Sequence, residues 1–306
     1  MSKEKGCRLK SKFMHKFEYA FVRISVGVLA RIPESTALAF GRWLGSLAWR
    51  TVKYRRKLVM KSLQRAFPEK GAAELKAIGL ACYRNLGSCF VEMFRVHRLS
   101  TPEMERRIIF ERRQIMDRAL EKGRGVINVT FHYGNWEMMG AFAARSGMPL
   151  DVIAREQRNP YFDRYVMGLR QANGMHLIPV SRAKSEVVRS LRSGRIVSFL
   201  ADQDAHQVGV FVDFLGRPAS TPKGPALYAF KTRAPVVLSI MLPQGAGRWK
   251  IIFEPVPRPE SSNMEEFIRE MTAYYTSRLE YYVRQAPEHW FWPHRRWKTE
   301  PCKVAN

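Results

Sequence analysis

The chain has 306 residues, of which 46% are hydrophobic and 12% aromatic, enough to bury a substantial core; wholesale disorder is excluded, and two ordinary domains or one large α/β domain fit the length. Its 52 Lys and Arg against 27 Asp and Glu leave a net charge of +25, which points to an anionic partner: nucleic acid, an acidic membrane surface or an acidic protein. Four cysteines, Cys7, Cys82, Cys89 and Cys302, with no Cys-x-x-Cys pair, exclude a disulfide framework and indicate a reducing compartment.

The charge is concentrated at the start, where residues 1–70 carry 17 Lys and Arg and 4 Asp and Glu. Phe17, Phe21, Ile24 and Val28 recur along one helical stripe, preceded by Lys10, Lys12 and Lys16. A second segment, Ser35–Val52, combines Phe40, Trp43, Leu44, Leu47 and Trp49 with Arg42 and Arg50, and runs into the basic stretch Lys53–Lys57. Basic helices with Phe and Trp on the apolar side predict an interfacial membrane anchor. The uncharged run Ile24–Ala30 is far short of the ~20 apolar residues of an ordinary spanning helix. A short tilted crossing with Arg23 snorkelling, or two amphipathic helices packed on a soluble core, are the alternatives. Glu18 and Arg23 interrupt Phe17–Ala30, which argues against a cleavable signal peptide.

Beyond the turn Pro68–Gly71, Ala72–Leu99 reads as one long helix, with Cys82 and Cys89 as small core residues. From about residue 107, β-rich runs alternate with helical ones. The strands are predicted at Arg107–Phe110, Val126–Phe131, Leu150–Ala154, His176–Val180, Ile196–Ala201, Val208–Val212, Pro235–Met241 and Lys250–Phe253. The helices between and after them are predicted at Gln114–Glu121, Trp136–Arg145, Tyr161–Ala172, Lys184–Arg192, Gly224–Phe230 and Met264–Gln285. This alternation predicts an α/β fold with a mixed, mostly parallel sheet covered by helices on both faces. Residues 1–105 form a helical, membrane-associating region and residues 106–306 the α/β core; no linker separates them, so one continuous domain is expected.

The most informative stretch is Val126-Ile-Asn-Val-Thr-Phe-His-Tyr-Gly-Asn-Trp-Glu137. An apolar strand ends at His132, Gly134 supplies a turn, Asn135 is a good N-cap, and a helix starts at Trp136. Within one helix His132 and Glu137 would be rotated apart by about 140°. They converge only with the histidine outside the helix, in the strand-to-helix turn. A carboxylate in the first turn of the helix, favoured by the dipole, could then fix the imidazole tautomer and make the histidine a general base. Asp202, Asp204 and His206 follow another strand, but Asp-x-Asp-x-His is a poor zinc spacing and no His-x3-His pair exists, so no metal site is expected.

Phe131-His-Tyr-Gly-Asn-Trp-Glu137 resembles the His-x4-Asp/Glu signature of membrane-associated acyltransferases, and specifically looks like that of the bacterial late acyltransferases of lipid A synthesis. Three further blocks match in order: Ala154–Pro160 followed by Arg170; Ala201–Asp204 continuing to Phe211–Thr221; and Pro287–Lys298. The likeness runs from about Arg31 to the end, with Ser62-Leu63 where the family usually has Asn-Leu. It implies transfer of a fatty acyl chain from acyl carrier protein, or coenzyme A, to a hydroxyl of a lipid acceptor at the cytoplasmic face of the inner membrane. For lipid A precursors that hydroxyl lies on a 3-hydroxyacyl chain. Both the carrier protein and the precursor are polyanionic, which suits the charge; the thioester is a co-substrate, and no further cofactor is expected.

On this likeness His132 is the general base and Glu137 orients it, without an acyl-enzyme. Arg170 is the candidate oxyanion donor, Asp202 positions that arginine or the acceptor, and Asp204 shares the role. Arg155 and Arg158 either contact a ligand or pair at the surface beside the helix start Asn159-Pro160. Thr221 reads as a helix cap and Lys223 as a phosphate contact, and the Trp-rich block 290–298 either lies at the membrane interface or packs back on the core. The rival functions are a basic nucleic-acid-binding protein, which lacks any helix-turn-helix, RNP or zinc-finger pattern, and a non-catalytic membrane scaffold. A lysophospholipid, aminolipid or glycosylated phosphatidylinositol acceptor stays open within the enzyme class.

Overall fold

Apolar runs of four to eight residues separated by helices make strands buried on both faces, and such strands need helices on both sides. The structure is a computed structural model that describes residues 2–301 apart from 30, 158 and 246, and omits the side chains of 2–13 and of Phe21. Arg158, Cys302 and the side chains of Cys7, Lys10, Lys12 and Phe21 therefore lie outside the described residues. In chain order the elements are α1 (Ser2–Leu29), α2 (Glu34–Leu47), α3 (Arg56–Ala66), α4 (Ala72–Arg95), α5 (Thr101–Glu105), β1 (Ile108–Glu111), α6 (Gln114–Leu120), β2 (Val126–Thr130) and α7 (Trp136–Arg145). They continue as β3 (Leu150–Ala154), α8 (Pro160–Ala172), β4 (His176–Pro179), α9 (Ala183–Arg192), β5 (Ile196–Leu200), β6 (Val210–Phe214) and β7 (Arg217–Thr221). The last are α10 (Gly224–Thr232), β8 (Val236–Pro243), β9 (Trp249–Val256) and α11 (Met264–Gln285).

Seven strands form one sheet in the order β1-β9-β8-β2-β5-β3-β4, parallel throughout except for the antiparallel pair β8–β9. The expected mixed, mostly parallel α/β sheet is what forms. Along β2 side chains alternate between two cores: Ile127 and Val129 join Val187, Leu191, Phe267 and Leu279, whereas Val126 joins Met116, Met138 and Phe142. The helices start where local chemistry says they should. Asn135, Asn159 and Asn263 each cap a first turn with their side-chain oxygen, and Pro160 occupies the first turn of α8.

Two sequence readings change. A strand absent from the predicted ones, β7, follows Gly216: Leu215 and Gly216 take φ of 51° and 72° and make a two-residue hairpin between β6 and β7. Pro218 is tolerated there because β7 belongs to a two-stranded ribbon and needs few ladder donors. The long helix stops at Arg95 and passes into a 3-10 turn, Val96–Arg98, short of Leu99.

At the N-terminal side α2 crosses α4 with almost no space between backbones. Ala37, Gly41 and Gly45 are the buried face of α2. A Cβ at Gly87 would stand 2.0 Å from the Gly41 carbonyl oxygen, and one at Gly45 would stand 2.0 Å from that of Tyr83. The opposite face of α2 exposes Phe40, Trp43 and Leu47, and α1 exposes Met14, Phe17, Ile24 and Val28. Trp49, the last aromatic of that region, is instead buried against Tyr83. Among the described residues no helix is long and apolar enough to cross a membrane. Because backbone cannot yield as a flexible side chain does, Gly87→Ala should lower stability by about 1–3 kcal/mol; an unchanged urea midpoint would contradict so close a crossing.

Candidate active site

The register of two parallel strands builds the site. Thr130 lies opposite Leu200 in the β2–β5 ladder, and the Ala201 N–H continues it to the Thr130 carbonyl at 2.9 Å. The next residues, His132 and Asp202, are therefore side by side at the carboxyl ends of adjacent strands, where open α/β sheets place ligands. Asp202 is 3% exposed and accepts three bonds: from His132 Nδ1 at 2.8 Å, from the His132 backbone N–H at 3.1 Å and from Trp290 Nε1 at 2.9 Å. Burial alone would push this carboxyl up. The imidazole and these donors outweigh burial and hold it below the usual aspartate value. An ionised carboxylate only accepts, so Nδ1 carries the proton and Nε2 presents its lone pair, with Gln203 Nε2 at 3.4 Å. Trp136 meets the ring edge-on at 5.0 Å and Phe291 lies at 5.9 Å, giving the imidazole an aromatic surround.

Glu137 does not hydrogen-bond His132. Its carboxylate accepts Nε and Nη2 of Arg170 at 3.1 and 2.6 Å, a two-pronged pair at the start of α7 and the end of α8. Burial works against the Arg170 charge, but Glu137 more than restores it and raises the guanidinium above its ordinary value. The expectation that Glu137 orients the imidazole is thus corrected: Asp202 does so, because strand register brings it closer than a turn of helix can. Of the two roles expected of Asp202, positioning Arg170 or the acceptor, the first is corrected with it: its bonds go to His132 and Trp290. A small cavity of about 10 Å³ lies at this pair, lined by Glu137, Arg170 and Asn173 together with Val166, Leu169 and Met175.

The remaining candidates are not part of this group. Asp204 builds its own loop, accepting from Thr299 Oγ1 at 2.8 Å and from the His206 N–H at 3.0 Å. Arg155 is exposed beyond the end of β3, and no bond or ion pair among the described residues ties it to His132 or Glu137. Lys223 is exposed before α10; Thr221 is buried and bonds Arg296 rather than capping that helix.

The C-terminal block packs inward. Trp290 and Trp292 are buried, and residues 289–291 pair with the histidine turn: Gly134 N–H donates to His289 O and Phe291 N–H to His132 O, each at 3.0 Å. Gly134 sits at φ 61°, and a Cβ there would stand 2.2 Å from the Met241 carbonyl oxygen. Arg296 is buried, bonds Ser220 O and Thr221 Oγ1, and keeps a positive charge behind Asp202; burial pulls its guanidinium down to about 10, still charged at neutral pH. Trp290, Phe291, Gln203 and Arg296 escaped the sequence reading as site residues. For Trp290, Phe291 and Arg296 the one signal was a Trp- and Arg-dense tail, which has no periodicity to assign it a face; Gln203 lay within the Ala201–Asp204 block, between two aspartates that drew the reading.

His294 Nε2 accepts the Asp204 N–H at 2.9 Å, and burial lowers its imidazole to about 4. The unfolded imidazole titrates near ~6.5, so between these values the unfolded chain binds the extra proton and stability falls as pH drops from about 6.5 towards 4. In His294→Asn, which keeps an acceptor without a titrating ring, the loss of unfolding free energy between neutral and acid pH should shrink; an unaltered pH slope would contradict this.

The chain is 24% identical to the lipid A biosynthesis palmitoleoyltransferase of Escherichia coli over 98% of both chains, and 26% identical to the lauroyltransferase of the same organism over 94% of both. It is 30% identical to the phosphatidylinositol mannoside acyltransferase of Mycobacterium tuberculosis over 57% of this chain, spanning 57% of that relative's length. The profile of the bacterial lipid A biosynthesis acyltransferases matches residues 7–299, nearly the whole chain with the histidine turn and its C-terminal cover included, and the protein belongs to that family.

Proposed function

We propose that this protein is an O-acyltransferase that moves a fatty acyl chain from the thioester of acyl carrier protein, or of coenzyme A, to a hydroxyl of a membrane lipid, a 3-hydroxyacyl chain of a lipid A precursor before others. The observation that carries the reading is the His132–Asp202 pair, an imidazole with Nδ1 held by a buried carboxylate and its ring flanked by Trp136 and Phe291. In that state Nε2 takes the acceptor's hydroxyl proton as its oxygen attacks the thioester carbon. The tetrahedral adduct then collapses with cleavage of the C–S bond, and the departing thiolate recovers the proton from His132. Glu137 uses Nε and Nη2 of Arg170, leaving Nη1 for the developing oxyanion or an acceptor phosphate. Glu137 acts through that arginine. The relative named for phosphatidylinositol mannoside supports a second acceptor class, a glycosylated phosphatidylinositol.

The acceptor resides in a bilayer, and the exposed row Phe40, Trp43 and Leu47, with Phe17, Ile24 and Val28, supports peripheral docking at the inner membrane's cytoplasmic face, assisted by the basic N-terminal quarter. In Phe40→Glu/Trp43→Glu, co-sedimentation with vesicles containing anionic phospholipid should fall severalfold; binding equal to the native chain would refute docking through α2.

His132→Ala should cost about 10²–10⁴ in kcat/KM with the fold intact by circular dichroism. Asp202→Asn, which frees the imidazole to adopt the other tautomer, should cost on the order of 10²–10⁴ as well. Near-native turnover of acyl carrier protein thioester by either variant would end the general-base assignment. Mass spectrometry of membrane lipids from cells lacking the protein names acceptor and chain through the missing acyl mass; an unchanged lipid profile would oppose the reading.

A further inference from the structure

One stripe of α4 faces the active-site turn and its C-terminal cover. Cys82 Sγ reaches the Trp290 carbonyl at 3.3 Å, Asn85 Nδ2 donates to the Glu288 carbonyl at 3.0 Å, and Cys89 Sγ reaches the Gly134 carbonyl at 3.4 Å. The last member is a carboxylate. Glu92 is 7% exposed, and its Oε2 accepts the Asn135 side-chain N–H at 2.7 Å. The other end of that amide, Oδ1, accepts the Met138 backbone N–H at 3.0 Å and caps α7. Asn135 thus clamps the start of α7 on one side and is itself clamped by α4 on the other.

A buried carboxylate is a costly way to fill space, and an apolar side chain of similar volume would fill it at less cost. Its use here is the second amide hydrogen-bond requirement of Asn135, which water cannot meet at this depth. We propose that Glu92 is a positioning residue of the transfer centre: by holding Asn135 it fixes how α7 leaves the histidine turn, and with it where Glu137 and Arg170 stand relative to His132. This rests on the acyltransferase reading of the site.

Glu92 faces Cys89 and Arg95 of its own helix, and feels Glu34 of α2 and its partner Arg107, which precedes β1. Burial pushes its carboxyl up to about 7, against the pull of Asn135, Arg107 and Arg95, with Glu34 adding to the rise. Ionised Glu92 holds Asn135 with a charge-assisted bond, so the clamp tightens as pH rises through neutrality.

The test uses the full chain in detergent micelles with an acyl-coenzyme A or acyl carrier protein thioester and a lipid A precursor. Glu92→Ala should lower kcat at least tenfold with KM within threefold. Glu92→Gln, which still offers Asn135 an oxygen, should recover to within threefold of native at pH 7, and the acid limb of its pH profile should be shallower by one proton. Asn135→Ser keeps the cap and loses the reach to Glu92; on that background Glu92→Ala should have no further effect. Native-like kcat in Glu92→Ala, additive losses in the double variant, or Glu92→Gln as poor as Glu92→Ala would each overturn the proposal. Amide hydrogen exchange at residues 134–138 reads the clamp without turnover: Glu92→Ala should speed it and Glu92→Gln should not. Were the native chain to transfer no acyl group while exchange behaved as stated, the acyltransferase reading would fall and the clamp would stand.

Discussion

A carboxylate with almost no access to water has to find all its donors in the protein, and Asp202 finds three, two of them on a single residue of the neighbouring strand. That requirement organises the site. The parallel register of β2 and β5 sets the two residues abreast, the imidazole and the backbone N–H of His132 both turn to the aspartate, and the tautomer follows without further instruction. A histidine held at one nitrogen by a carboxylate, with only the Gln203 amide beside the other, is suited to proton transfer, and the aromatic rings about it limit water. Moving the strand ladder by one residue would reverse which face each side chain occupies and abolish the pair.

The acid of the signature then has a separate place. Glu137 sits in the first turn of α7 and is bonded to Arg170 rather than to the imidazole, and in the proposed chemistry the two ion pairs divide the labour: one governs a proton, the other aims a positive charge. They are joined by only four residues of turn, which α4 and the chain's last strand-like segment grip from two sides. The proposed chemistry therefore relies on a framework assembled from distant parts of the sequence, with α4 contributing contacts rather than reactive groups.

What could be read in advance divides along the same line. α7 and α11 are legible to the residue because apolar periodicity, an asparagine cap and a clear stop coincide at their ends, and β3 because a short apolar run is bounded by Pro149 and the charged Arg155-Glu156. His132 and Glu137 are legible as candidate site residues because a strand-turn-helix signature is local. The partnership of His132 with Asp202 is not, since register between strands 70 residues apart is a tertiary fact. β7 was hidden by Pro218, whose usual meaning in a strand interior is reversed on an isolated ribbon. The inward fate of Trp290 and Trp292 was hidden because tryptophan density marks interfaces and cores alike. Ala72–Leu99 overran its end because nothing in Val96-His-Arg98 breaks a helix; a change to 3-10 winding does.

The pairing of residues 289–291 with the histidine turn carries a consequence for biosynthesis. Ribosomes deliver a polypeptide from its amino end, so β2, its histidine and α7 all emerge long before Trp290 does. Until the tryptophan arrives, Asp202 lacks one of its donors and the turn lacks its lid. A nascent or prematurely terminated product ending ahead of that point would carry both signature residues and still have an unfinished centre, so the site is complete only once Trp290 has emerged and folded back onto it.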